Sequence, residues 1–198
     1  MRLVIAITGT PLSGKETCSN VIQECLAKDG FSVKAHTFSE ILRETLDLWN
    51  IPHGRANEQT LAIIMNAETG FKDGALSRAM EHRLLKDAED VGVLDGIRWR
   101  GDERMIRGLA DKGIASAFIY VTATPETRYE RLIARNRSGE ANTTWETFME
   151  QEKARTEVDI PDIGSRAEIK LTNDYNDLEK FRAYVKKAYD EAIKPLLK

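Results

Sequence analysis

Cysteine is nearly absent: Cys18 and Cys25 are the two in 198 residues. They lie on one face of an expected first helix. A disulfide framework or a metal centre needs more cysteines or closer ligand spacing. Both are therefore read as small buried thiols. Histidine is as scarce: His36, His53 and His82 stand singly, without the spacing of a metal pair. Long apolar runs are missing too. The opening "MRLVIAITGT" is too short for a signal peptide or a membrane span. The expectation is a soluble, cytoplasmic protein with no membrane partner. There is no polybasic stripe either. Charged residues make up 31% of the chain, with a net charge of −3 and both signs mixed. Bulk nucleic acid is thus not an expected partner. Repeats and low-complexity segments are likewise missing.

What is present is alternation. The length suits a single domain over residues 1–198. Leu3–Thr8 is an apolar run that reads as a strand buried on both faces. Ser32–Phe38, Val91–Asp95, Ala115–Val121 and Ala167–Thr172 read as further strands. Helical stretches such as Lys15–Lys28 and Ser39–Trp49 lie between them. Strands alternating with helices predict an α/β fold with a parallel sheet covered on both faces. Thr124 before Pro125 marks a helix start. "TTWE" (Thr143–Glu146) predicts a second, with Thr143 as the cap. Asn50–Asp90 holds no convincing strand and reads as inserted helices. Trp49, Trp99 and Trp145 are read as packing residues.

"GTPLSGKET" (Gly9–Thr17) follows the first strand directly and opens a helix. That is the setting a phosphate loop requires. Its amides form an anion nest, the helix N-terminus adds partial positive charge, and Lys15 reaches the phosphates. Residue 16 is Glu where a hydroxyl is usual. Repulsion from phosphates predicts that Glu16 points outward. "VGVLDGIRWR" (Val91–Arg100) ends a strand with Asp95. A carboxylate at the C-terminal end of a parallel strand faces the ligand crevice, where it suits Mg2+. Its alternative is an ordinary cap or turn. Arg43 in "FSEILRETL" suits a phosphate fork, or else a helix pair with Asp47.

These motifs resemble those of adenylate kinases and their relatives. In that family the loop reads G-x-P-G-x-G-K-G-T, so the resemblance assigns Thr17 as the loop hydroxyl. Leu12 and Glu16 stand where the family has glycines. "FSEILR" is similar to T-G-D-M-L-R and "DGIRWR" to D-G-x-P-R, which implies acceptor-phosphate roles for Arg43 and Arg98. "ETRYERLIARNRSG" (Glu126–Gly139) and Arg155 resemble the arginines around the family's lid. This implies that Arg131, Arg135, Arg137 and Arg155 act on the transferring group, with Arg131 also over the base. Arg128 is instead expected to face solvent. Asn173–Tyr175 after the last strand is matched to the loop beside the base, or is a plain turn. "DGIR", "TWETFMEQE" and "LTND" look like an archaeal-type group related to adenylate and dephospho-CoA kinases.

The resemblance implies a P-loop three-layer sandwich with five parallel strands in the order 2-3-1-4-5. It also implies a helical acceptor-binding insertion near 39–90 and a short lid at 136–143. The expected activity is transfer of the γ-phosphate of ATP to a nucleoside or deoxynucleoside monophosphate. Gly9, Thr10, Pro11, Leu12, Ser13, Gly14, Lys15, Glu16 and Thr17, with Arg131 and Asn173, would hold the donor. Lys15, Asp95 and the lid arginines would be catalytic, and Thr17 and Asp95 would place Mg2+. Arg43, Arg98 and Glu40 would meet the acceptor. Glu40 matters most in the alternative of a dephospho-CoA kinase, where it would be the base for a ribose hydroxyl. The other alternative is a regulatory nucleotide-binding ATPase. A monomer or a homodimer is compatible with these expectations.

Overall fold

The computed structural model describes residues 1–66, 74–136, 142–153, 157–175 and 177–197. Five parallel strands form one sheet: β1 (Leu3–Gly9), β2 (Val33–Thr37), β3 (Val91–Ile97), β4 (Ala115–Thr122) and β5 (Ile169–Thr172). Their spatial order is β2-β3-β1-β4-β5. The helices are α1 (Lys15–Lys28), α2 (Phe38–Leu48), α3 (Arg55–Ile64), α4 (Ala75–Lys86) and α5 (Arg100–Gly108). They continue with α6 (Pro125–Arg135), α7 (Trp145–Gln151), α8 (Ile160–Ser165) and α9 (Leu178–Ala188). Among the described residues between β2 and β3 only helices occur, as the absence of a strand pattern there predicts. No helix of the described residues is long and apolar enough to cross a membrane.

The two-residue period of a strand divides the core into two layers. Leu3, Ile5 and Ile7 pack with Ile22, Leu26, Phe181 and Val185 of α1 and α9. Val4 and Ala6 point the other way, onto Leu46, Met80, Ile106 and Ile163 from the α2, α4, α5 and α8 side. All of β1 is buried, which is why it reads as a continuous apolar run. Cys18 lies in the α1 layer and Cys25 is half-buried; both thiols are free.

Thr124 caps α6, and its hydroxyl accepts from the Thr127 amide with Pro125 in the first turn. The start of α7 differs from the expectation by one residue. Thr144, not Thr143, is its cap, and accepts from Thr147 N–H. The carbonyl of Thr143 instead accepts from the Tyr129 hydroxyl at 2.9 Å. That contact ties the chain just before α7 to α6.

β1 lies between β3 and β4, so the connections leaving it and β3 diverge to opposite faces of the sheet. This creates a crevice beyond the C-terminal strand ends. The β1–β3 register slips there: Ile7 pairs with Asp95, but Thr8 pairs with Ile97. Gly96 is the extra residue. The Thr8 hydroxyl donates to the Ile97 carbonyl at 2.8 Å and holds the slipped end.

Candidate active site

The loop from Gly9 to Gly14 wraps back over the end of β1. A side chain on Gly9 would put its Cβ 2.1 Å from the Val121 carbonyl oxygen of β4. Gly14 has φ +100°, and a Cβ there would lie 2.4 Å from Asn173 Nδ2. Leu12 also has a left-handed backbone, with φ +65°. A leucine thus holds a backbone conformation that ordinarily favours glycine, at a steric cost of about 1–2 kcal/mol. The Leu12 carbonyl accepts from Arg131 Nη1 at 3.1 Å, and the Ser13 carbonyl from Asn173 Nδ2 at 2.8 Å. These contacts hold the loop from outside.

Lys15 begins α1, and its Nζ donates to the Thr10 carbonyl at 3.0 Å. It is half-buried. Burial lowers its pKa, against the opposing attraction of Asp95. Burial likewise raises the Asp95 pKa, opposed by Lys15 and Arg98. Thr10 Oγ1, Ser13 Oγ and Asp95 Oδ1 are buried without a hydrogen-bond partner. Buried polar groups ordinarily find partners. Three orphans on one loop and its neighbouring strand end therefore fit a ligand with several polar atoms. Among the described residues no group of three or more His, Cys, Asp or Glu could hold a metal by itself. Mg2+ suits such a sparse set, since it takes few protein oxygens alongside phosphates and water. Asp95 and Thr17, in the first turn of α1, have the right donor chemistry. Glu16 is exposed.

A cavity of about 600 Å3 opens beside this loop, with Lys15 and Asp95 in its wall. Arg43, Arg98 and Arg135 also line it. Arg43 Nε pairs with Glu58 Oε1 of α3 at 3.1 Å, not with Asp47. Arg98 pairs with Glu157. Arg55 and Trp99 line the same wall. Arg55 carries no sequence motif, and only the packing of α3 brings it here.

The structure places several of the expected site residues away from the cavity wall. Arg131 does not line the cavity. Its guanidinium is spent on three carbonyls, of Leu12, Asn173 and Tyr175. It is a clamp on the loops, because α6 passes along their outer side. Asn173 is no free contact for a base: its N–H donates to Thr122, its carbonyl accepts from Arg131 and its side chain holds Ser13. Glu40 does not line the cavity either. Its carboxylate closes the capping box on Thr37 N–H and lies 3.7 Å from Arg83. Arg128 is not solvent-facing but buried, donating from Nε to the Ala123 carbonyl and paired with Glu152 at 2.5 Å. Its guanidinium lies 5.5 Å from the Phe148 ring centre. Arg137 and Arg155, and most of the expected lid, lie outside the described residues.

Asp102 is a residue the motifs did not mark. It is 1% exposed and borders the cavity. Oδ1 accepts from the Ser77 hydroxyl of α4 at 2.6 Å. Oδ2 accepts from the amides of Trp99 and Arg98. Burial lifts its pKa from the ordinary 3.8 to about 6, against the pull of these donors. Between those values the folded state holds a proton that the unfolded chain has released. Stability contributed by this proton is present at low pH and lost as pH rises through about 6. Relative to Asp102→Asn, the wild type should lose roughly 3 kcal/mol between pH 4 and pH 7.5. Urea melts of both proteins across that range measure the difference. A constant difference would show that Asp102 titrates normally.

No established family model matches the chain. A UPF0200 protein of Hyperthermus butylicus is 25% identical over 186 residues, covering 94% of this chain and 92% of that protein. Among solved structures, a shikimate kinase from Bacteroides thetaiotaomicron superposes with a TM-score of 0.61. It is 14% identical, and the match covers 95% of this chain and 97% of that one. The APS kinase CysC of Mycobacterium tuberculosis, solved with AMPPNP and APS, superposes with a TM-score of 0.55. It is 18% identical, with 96% and 98% covered. At such identities the likeness is one of fold: the five-stranded parallel sheet in the order 2-3-1-4-5 is shared with P-loop kinases.

Proposed function

We propose that this chain is an ATP- and Mg2+-dependent phosphotransferase acting on a small nucleotide, a nucleoside or deoxynucleoside monophosphate. The observation that carries this reading is one cavity lined by Lys15 and Asp95 together with Arg43 and Arg98. The APS kinase of the same fold binds AMPPNP together with APS, which supports a two-substrate cavity. The assignment to an adenylate kinase-like group rests on motif resemblance.

The loop amides and Lys15 bind the donor phosphates. Asp95 and Thr17 would hold Mg2+, which when bound neutralises charge on the phosphate oxygens. Arg43 and Arg98 seat the acceptor phosphate, and Arg135, which lines the same cavity, would supply positive charge to the transferring group. Arg131 and Asn173 keep the loop in shape. A phosphate acceptor is already anionic and needs no base. The engaged carboxylate of Glu40 therefore favours it over a ribose hydroxyl, whose proton must be removed.

Turnover of ATP with a panel of nucleoside and deoxynucleoside monophosphates, with dephospho-CoA and with no acceptor tests this. ADP formation that requires a monophosphate is expected. Selective use of dephospho-CoA would replace the acceptor assignment, and rapid ADP formation without any acceptor would favour a regulatory ATPase.

A further inference from the structure

Among the described residues, Lys15, Arg43, Arg55, Arg98 and Arg135 are the cations lining the cavity. Lys15 donates to Thr10, Arg43 is paired with Glu58, and Arg98 with Glu157. Arg135 is engaged as well. Arg55 alone of this described set has no hydrogen-bond or ion-pair partner. It stands three residues before Glu58 on α3, so the two side chains share one helix face. Across from them is Arg43, on α2. The arrangement is a guanidinium held by an internal carboxylate, with a second, unengaged guanidinium on the carboxylate's own helix.

We propose that Arg55 is an anion-binding residue of the acceptor site, and that the acceptor's doubly charged tetrahedral group displaces Glu58 from Arg43. The proposal rests on the phosphotransferase reading above and adds to it a residue and an exchange. The Arg43–Glu58 pair is half-exposed on the arginine side, at 49%, and such pairs contribute little. A dianionic phosphate accepts two parallel bonds from a guanidinium and gains more than a single carboxylate contact. With Arg55 added to Arg43 and Arg98, it meets three guanidinium groups. A singly charged acceptor gains less from the exchange. Glu58 thus discriminates by charge: it is a weak competitor that a phosphomonoester overcomes, and it repels an anion that does not displace it.

The test uses inorganic phosphate as probe, titrated calorimetrically into protein saturated with Mg2+ and a non-hydrolysable ATP analogue. The donor loop is then filled, and only the acceptor half is read. Arg55→Ala should weaken phosphate binding about tenfold or more, and Arg55→Lys should restore part of it. Glu58→Gln should tighten binding several-fold, because it removes the competitor and keeps the side chain's shape. Arg55 is exposed, so its loss should leave the circular dichroism melt unchanged. Equal affinity in wild type and Arg55→Ala, weaker binding in Glu58→Gln, or no phosphate binding in wild type would each overturn the proposal. Failure of the phosphotransferase reading would look different: phosphate would bind with this mutational pattern, yet no acceptor would yield ADP.

Discussion

Lys15→Ala is expected to lower ATP-dependent turnover by about 10²–10³-fold, the usual loss when a group that meets developing phosphate charge is removed. The amine is placed for this by three features. It opens α1, its Nζ is turned back to the Thr10 carbonyl, and it lies within the electrostatic reach of Asp95. The hydrogen bond to Thr10 restrains its long side chain before any phosphate arrives. The fold should nevertheless be retained. Burial disfavours the charged amine while Asp95 favours it, and Asp95 keeps Arg98 as a neighbouring cation when the amine is removed. The loss of unfolding free energy should be about 1–3 kcal/mol, the cost of leaving a buried polar group with one partner fewer. Steady-state ADP formation, with a thermal melt as control, measures both. An unaltered ATP-dependent rate would remove the basis for reading Gly9–Lys15 as a phosphate loop.

Gly9→Ala should be the most damaging small substitution in the loop. The new methyl would sit 2.1 Å from a backbone oxygen of β4 and 3.1 Å from Ser13 Oγ. No rotamer relieves a clash with a carbonyl. Either the C-terminal ends of β1 and β4 part, or the loop turns away from the crevice. The first breaks the Gly9–Val121 pairing, the last register of that ladder. The second empties the nest. The expected cost is about 3 kcal/mol or more, near the top of the range for overpacking. In a chain of this size that lowers the melting temperature by roughly 10 °C. Gly108→Ala is the control, since its methyl would meet nothing within 4 Å. It should melt at or slightly above the wild-type temperature. Equal melting of the two variants would mean that β1 and β4 are not held as closely as described.

The glycine-bearing loop after β1 and the strand–helix alternation were legible for local reasons. The glycines, Lys15 and the apolar run before them are contiguous. The two-residue period of β1 already separates the core layers. Thr124–Pro125 announces α6 because cap and first turn are neighbours in the chain. Where competing local solutions exist, the sequence misleads by a residue, as at Thr143 and Thr144. Both are threonines, and the Tyr129 contact to the Thr143 carbonyl joins groups 14 residues apart.

Which arginine does what was decided only by tertiary packing. Arg128, Arg131 and Arg135 recur on one helix, and their spacing describes that helix rather than its neighbours. One is buried against Phe148, one clamps two loops and one lines the cavity. Their partners are remote: Leu12 is 119 residues from Arg131, and Glu157 is 59 from Arg98. Glu58 meets Arg43 because α3 folds back on α2, and that same turn of chain carries Arg55 to the cavity. Local sequence determined the strands and the glycine-bearing loop between β1 and α1. The division of charged side chains between structure and ligand was settled by contacts between distant segments, because a guanidinium takes whatever carboxylate or carbonyl the fold brings within reach.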